Sequence, residues 1–192
     1  KHLFYQLGGF LGYLDKSCKD IYIDAVNRKY IWDISHTAEA KKKLHFIKNH
    51  EIRRLTDYFI LQFESHVLPA LPELRYACIH NDANDQNILT DGSRITGLID
   101  FGDMVWAPLI NNLAIASTYT TMDSEFPLED ACHLVHGYNE IYPLKEEEID
   151  LLYYLIAARL CISIPQSAEK ASTESLNNHH FNSESSAWTL LK

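Results

Sequence analysis

Three residues near the middle of the chain, Asp82, Asn87 and Asp100, have the types and spacing to handle a metal and a phosphate together. The first two lie in His80-Asn81-Asp82-Ala83-Asn84-Asp85-Gln86-Asn87, and the third opens Asp100-Phe101-Gly102-Asp103. Two loops at neighbouring strand ends would bring them together. A carboxylate, an amide oxygen and a second carboxylate are hard oxygen ligands suited to Mg²⁺. Magnesium shares its shell with waters and phosphate oxygens more readily than it enters an all-protein cage. Two close protein ligands plus a nucleotide therefore make chemical sense. Phosphoryl transfer also needs the acceptor hydroxyl aimed in line at phosphorus, and Asp82 is the candidate to accept its proton.

An Asp followed five positions later by Asn, and then an Asp before Phe-Gly, is an order known from phosphoryl-transfer sites. The first half alone is a weak signal. Asp-Phe-Gly arrives 13 residues after Asn87, across an apparent strand–turn–strand, which makes the joint coincidence far rarer. The rival reading makes Asp82, Asn84 and Asp85 ordinary turn formers and Asp100 a strand-end cap. A metal-dependent hydrolase using His80, Asp82 and Asp100 is a further alternative, but it lacks another histidine at usable spacing.

The elements that must position these groups follow from hydrophobic spacing. Leu3, Leu7, Phe10, Leu11 and Leu14 share one helix face, so residues 3–18 read as an opening helix. Gly8, Gly9 and Gly12 fall inside it, where backbone amides are committed, and suit close helix packing rather than a nucleotide loop. Ser35 or Thr37 is the N-cap candidate for a helix over 37–49. Ile52, Leu55, Phe59, Phe63 and Val67 mark the buried stripe of the next helix, which Pro69 and Pro72 end. Tyr76 to Ile79, Asn87 to Thr90 and Arg94 to Ile99 read as short strands, with Asp91-Gly92-Ser93 as a turn. Helices resume at about 109–122, 127–140 and 146–164; residues 170–186 read as loop, and a last helix falls near 184–191. The expected fold class is α+β, predominantly helical, with one small β-hairpin framed by polar loops at 80–87 and 100–107.

Bulk composition narrows the function classes. A chain of 192 residues suffices for one domain or one large lobe. Its net charge of −9 argues against binding a nucleic-acid backbone, which relies on clustered Lys and Arg. A cationic substrate is compatible with that charge, although a solvated acidic surface is the commoner meaning. No apolar run approaches the roughly 20 residues that a membrane helix needs. Cys18, Cys78, Cys132 and Cys161 form no Cys-x-x-Cys pair and sit in apolar or helical contexts, which suits a reduced, cytoplasmic protein. His179-His180 falls in a polar stretch, and a zinc site is not expected.

Beyond the two loops, Leu7-Gly8-Gly9-Phe10-Leu11, Leu14-Asp15, Trp32-Asp33, Gly97 to Met104, Gly137-Tyr138, Pro143-Leu144 and Ala158-Arg159-Leu160 carry a wider likeness. The sequence resembles the aminoglycoside-phosphotransferase and choline-kinase superfamily, which shares the protein-kinase fold. More narrowly it resembles hydroxylysine kinases and the kinase-like domain fused to class III aminotransferases. The likeness spans about residues 3–168. It implies the carboxy-terminal lobe of a kinase-like fold, with ATP as co-substrate and a small amino alcohol (hydroxylysine-, ethanolamine- or choline-like) as acceptor. Asp82 would be the catalytic base, with Asn87 and Asp100 holding Mg²⁺ and His80 bracing the loop. Asp103 would orient the metal loop or cap the next segment. Trp32 and Asp33 would help shape the acceptor site, or Trp32 would merely anchor the following helix. Asp85 would attract an amine or simply form a turn. Asn81 stands where many relatives have Gly.

The glycine-rich phosphate loop, strand lysine and helix glutamate of a kinase are missing from this sequence. In relatives the amino-terminal, ATP-gripping lobe would precede Lys1, and the first Met is Met104, so a piece of a longer chain is expected. Such a segment should bind magnesium-nucleotide poorly. A catalytically quiet, kinase-fold binding domain in a larger, aminotransferase-fused protein is the alternative to an active kinase, although a quiet domain has no chemical need for Asp82, Asn87 and Asp100 together.

Overall fold

A computed structural model describes residues 1–173 and 189–191. Helix α1 (His2–Cys18) buries Leu7 and Leu11, and beside them Gly8 and Gly12. Those glycines let α1 cross α4 (Pro127–Ile141) with backbone nearly touching backbone. A Cβ on Gly8 would stand 1.9 Å from the carbonyl oxygen of Leu134, and one on Gly137 would stand 1.9 Å from that of Tyr5. Gly8 and Gly12 thus serve helix packing, as their place inside a helix predicts, whereas an added Cβ on Gly9 would meet nothing nearer than 3.7 Å.

Between these helices run the elements of the site. β1 (Tyr76–Ile79) pairs antiparallel with β4 (Val105–Pro108), and β2 (Ile88–Thr90) pairs antiparallel with β3 (Ile95–Leu98). Helix α3 (Ile110–Thr121) follows β4 and is buried along nearly its whole length. It packs between α4 and α5 (Glu146–Thr173), while α2 (His50–Gln62) covers α5 from the other side. The main core joins Leu7, Leu11, Phe63, Leu113, Ile115 and Tyr138; a second cluster joins α2 to α5 through Phe59, Ile60, Leu160 and Ile164. The result is a predominantly helical body around two small antiparallel ladders.

Several elements differ from expectation. Residues 34–46 wind as 3₁₀ rather than α-helix, with a kink at His36. The Thr37 hydroxyl takes the Ile34 carbonyl at 2.7 Å, a local bond that competes with helical pairing. Asp33, not Ser35 or Thr37, caps this segment by accepting from the Ser35 amide at 2.9 Å. The helix expected through Val67 leaves α-geometry after Gln62 and closes with a π turn over Phe63–Val67. Val105–Pro108, expected as loop, is a strand because β1 supplies its partner. α5 continues through Pro165 to Thr173, since Ile164 and Ala168 are buried in the second cluster and that burial outweighs one lost backbone bond. Residues 170–173 are therefore helical, not loop; the rest of that stretch, His179-His180 and most of the helix near 184–191 lie outside the described residues. Cys132 is exposed, whereas Cys78 and Cys161 are buried as small hydrophobes. Among the described residues, no helix is long and apolar enough to cross a membrane.

The helix crossing makes a sharp contrast between adjacent glycines. Gly8→Ala forces α1 and α4 apart and should cost about 3 kcal/mol, a fall of roughly 10 °C in unfolding midpoint. At Gly9 the nearest atoms to an added Cβ are 3.7 and 3.8 Å away, an ordinary contact, so Gly9→Ala should leave the midpoint unchanged or slightly raised. Thermal unfolding of both variants checks this, and equal midpoints would refute it.

Candidate active site

The candidate site is assembled where loop 80–87 leaves β1 and where β3 leads into Asp100. The Ile99 amide donates to the Asn87 carbonyl at 2.9 Å, just past the Ile88–Leu98 pair. This backbone bond sets Asn87 beside Asp100 at the open end of the hairpin. His80 makes a second tie. Its Nε2 donates to the Ile99 carbonyl at 3.0 Å, while its Nδ1 accepts from the Asp82 amide at 3.3 Å. Those partners fix the tautomer. The ring meets Phe101 edge-on at 4.8 Å. With 1% of its surface exposed, His80 is held neutral, burial pushing its pKa down.

Inside the loop, Asn84 forms the turn: its side-chain oxygen accepts from the Gln86 and Asn87 amides at 2.9 and 3.2 Å. Asp82 is held from two sides. Its Oδ2 accepts from Asn84 Nδ2 at 3.0 Å and Asn87 Nδ2 at 2.9 Å. Its Oδ1 lies 3.5 Å from Arg159 Nη2. Committing the Asn87 nitrogen to Asp82 leaves Asn87 Oδ1 as the oxygen open to a cation.

The loop is anchored to the core through Asn81, which is buried in the left-handed region at φ 67°. Its amide donates to Asn112 Oδ1 at 3.2 Å. Asn112 Nδ2 in turn donates to Asp15 Oδ1 at 2.7 Å, and the Tyr138 hydroxyl donates to Asp15 Oδ2 at 2.8 Å. Burial pushes the Asp15 carboxyl up to about 7, against the downward pull of those two hydrogen bonds.

Asp100 is exposed and also left-handed, at φ 61°; its Oδ1 accepts from the Gly102 amide at 3.3 Å. Among the described residues Asp103 caps nothing. It accepts from the Tyr30 hydroxyl, and Arg28 Nη2 donates to the Gly102 carbonyl at 2.6 Å. The 100–103 loop is thus strapped to residues 28–30. Desolvation, then the Asp103 carboxylate, pushes the Tyr30 phenol up to about 12.

Trp32, Asp33 and Asp85 are not brought together. Trp32 lies against Arg159, with the guanidinium carbon 5.1 Å from its ring centroid. Asp33 is buried and committed as a cap. Asp85 is exposed, at the rim of a groove of about 430 Å³ between α1, the hairpin and the end of α3. Arg159, Tyr119, Asn112 and Tyr30 were not assigned as site residues from sequence. Arg159 did carry a signal: a lone cation on the apolar face formed by Leu155, Ala158 and Ile162 needs a buried partner.

Mg²⁺ fits this donor set. The amide oxygen of Asn87 and the exposed carboxylate of Asp100 are hard oxygens at one hairpin end. Among the described residues there is no group of three or more His, Cys, Asp and Glu that could hold a metal, and a Mg²⁺ at Asn87 and Asp100 would share its shell with waters and phosphate oxygens.

A helical body carrying a small hairpin between two acidic loops defines a kinase-like fold. The solved structure of amicoumacin kinase hAmiN, in complex with AMP-PNP, Ca²⁺ and Ami, matches it with a TM-score of 0.67 over 99% of this chain and 58% of that one, at 16% identity. Residues 1–147 match the phosphotransferase enzyme family, APH, and the chain belongs to that family. Hydroxylysine kinase of Xenopus laevis is 33% identical over 146 residues, covering 71% of this chain and 39% of the relative. That of Bos taurus is 26% identical over 175 residues, covering 84% and 46%. The chain thus spans less than half the length of these curated relatives.

The Asp15 column has a pH signature. A carboxyl whose folded pKa lies above its unfolded value stabilises least when ionised, so this contribution is intact near pH 4 and lost as pH rises through about 7. Between pH 5 and pH 8 wild-type protein should lose roughly 2–3 kcal/mol from this group. Asp15→Asn should lack that component. Urea midpoints at the two pH values measure it, and parallel profiles for the two proteins would contradict it.

Proposed function

We propose that this chain is the catalytic and acceptor-binding lobe of an ATP-dependent kinase that phosphorylates the hydroxyl of a small amino alcohol. The observation that carries the reading is the set Asp82, Asn87 and Asp100, arranged by one hairpin and bridged by His80. In this role Asp82 receives the acceptor hydroxyl's proton and aims its oxygen at the γ-phosphorus. Bound between Asn87 and Asp100, Mg²⁺ would supply charge neutralisation for the transferring phosphoryl group. His80 braces the two loops, and Asp103 holds the metal loop to Tyr30. The hydroxylysine kinases among the relatives favour a hydroxylated amine as acceptor.

The ATP-gripping lobe is assigned to the part of the relatives' length that this chain does not span. Leu89, Ile99 and Phe101, each close to half exposed beside the site, are apolar surface for that lobe and the nucleotide to cover. The free thiols at all four cysteines agree with a cytoplasmic setting.

The test is ADP release by the full-length parent protein with Mg²⁺ and a panel of amino alcohols and aminoglycosides. Acceptor-dependent release should fall about 1,000-fold in Asp82→Ala. Release unaffected by that substitution would remove Asp82 from the mechanism. Asp100→Asn should raise the Mg²⁺ concentration needed for half-maximal rate by about tenfold or more; an unchanged Mg²⁺ dependence would take Asp100 out of the metal site. Robust ATP consumption by residues 1–192 alone would overturn the assignment of this chain as one lobe.

A further inference from the structure

Arg159 is a buried charged group to which this mechanism gives no task. It projects from α5 into the core, with 4% of its surface exposed. Nη1 donates to the Trp32 carbonyl at 3.2 Å, and Nη2 donates to the Tyr119 hydroxyl at 2.8 Å. The guanidinium carbon also lies 5.1 Å from the Trp32 ring centroid and 5.5 Å from that of Tyr119. A planar cation held by two hydrogen bonds and two aromatic rings has little freedom to swing.

From that fixed position Nη2 faces Asp82 Oδ1 at 3.5 Å. At this distance the contact is an ion pair rather than a tight hydrogen bond, so it steers the carboxylate by charge. The two oxygens of Asp82 are therefore held by different elements: Oδ2 by Asn84 and Asn87 of its own loop, Oδ1 by Arg159 of α5. Rotating the carboxylate would disturb both holds at once. Nor is Arg159 placed to grip a phosphate, since only 5% of its side chain is exposed and both terminal nitrogens are engaged. Its Nε is buried without a partner among the described residues. A group serving packing alone would avoid that cost, and an apolar side chain would fill the space between two rings more cheaply.

We propose that Arg159, clamped by Trp32 and Tyr119, is a positioning residue that fixes the plane of the Asp82 carboxylate, so that Oδ1 is presented to the acceptor hydroxyl. Trp32 then belongs to the clamp rather than to acceptor contact. The inference rests on the reading of Asp82 as the catalytic carboxylate.

Steady-state ADP release by the full-length parent protein tests it, comparing wild type, Arg159→Gln, Asp82→Asn and the double variant. Loss of the clamp should lower kcat by about 100-fold while KM for ATP stays within about twofold. In the Asp82→Asn background, where no carboxylate remains to orient, Arg159→Gln should cost less than about twofold more. Tyr119→Phe removes a single oxygen and keeps the packing, so it carries the test even where Arg159→Gln folds poorly; its kcat should fall about tenfold. Wild-type kcat in Tyr119→Phe overturns the proposal. So do equal fold losses from Arg159→Gln with and without Asp82, which mark a purely structural role. Full turnover by Asp82→Asn, or no turnover by the wild type with any acceptor, removes the reading of the site and this inference with it.

Discussion

The site depends on how a loop with no sheet of its own is held still. Residues 80–87 run between two different ladders, and their backbone groups must find partners outside both. The Asn112 side chain supplies the decisive one by accepting from the Asn81 amide. Asn112 cannot turn away, because its nitrogen is tied to Asp15, which is tied to Tyr138. A column of buried polar groups thus runs from α1 and α4 through α3 to the residue before Asp82. In a low-dielectric interior such a column is strong when complete and costly when broken, which suits a part that must not drift.

The helix packing exists in a form that this column needs. Tyr138 reaches Asp15 because α1 and α4 approach within backbone contact, and they do so because Gly8 and Gly137 carry no side chain. A Cβ on Gly12 would lie 3.0 Å from the Tyr138 carbonyl oxygen, so the same crossing seats Tyr138 itself. Small residues on one helix pair therefore control the placement of a loop elsewhere in the fold. The link runs through rigid elements and hydrogen bonds.

Much of this was legible in the sequence where the signal is local. The helices 3–18, 109–122 and 127–140 lie within two residues of α1, α3 and α4, and in the first a periodic apolar stripe is the signal. The β2–β3 hairpin follows from its Asp-Gly-Ser turn. Asp82, Asn87 and Asp100 were legible as a set because their spacing is itself the signal. What was not legible depends on partners distant in sequence. Val105–Pro108 is a strand only because β1 lies beside it, and α5 crosses Pro165 only because its far half is buried. Trp32-Asp33 read either as an acid and aromatic suited to an amine or as an anchor onto the following helix; in the structure Asp33 caps that segment and Trp32 lies against a guanidinium. Arg159 reaches Asp82 across 77 positions, a distance over which no spacing rule operates.

Backbone strain is distributed in the same functional way. Outside glycine, positive φ occurs among the described residues at Asn81, Asp100 and Asp123; Asn81 precedes Asp82, and Asp100 is itself one of the candidate groups. Asn and Asp tolerate the left-handed region better than other side chains, yet each costs stability there relative to glycine. At Asn81 the cost is compounded, because its side-chain nitrogen and oxygen are both buried without partners among the described residues. Glycine at this position would remove that burden but also loosen the backbone immediately before Asp82. An asparagine wedged in the core restricts the φ and ψ of that residue further than glycine can. The loop therefore trades part of its stability for a fixed entry angle into Asp82, the same end served by the Asn112 bond behind it and the two-sided hold on the carboxylate in front.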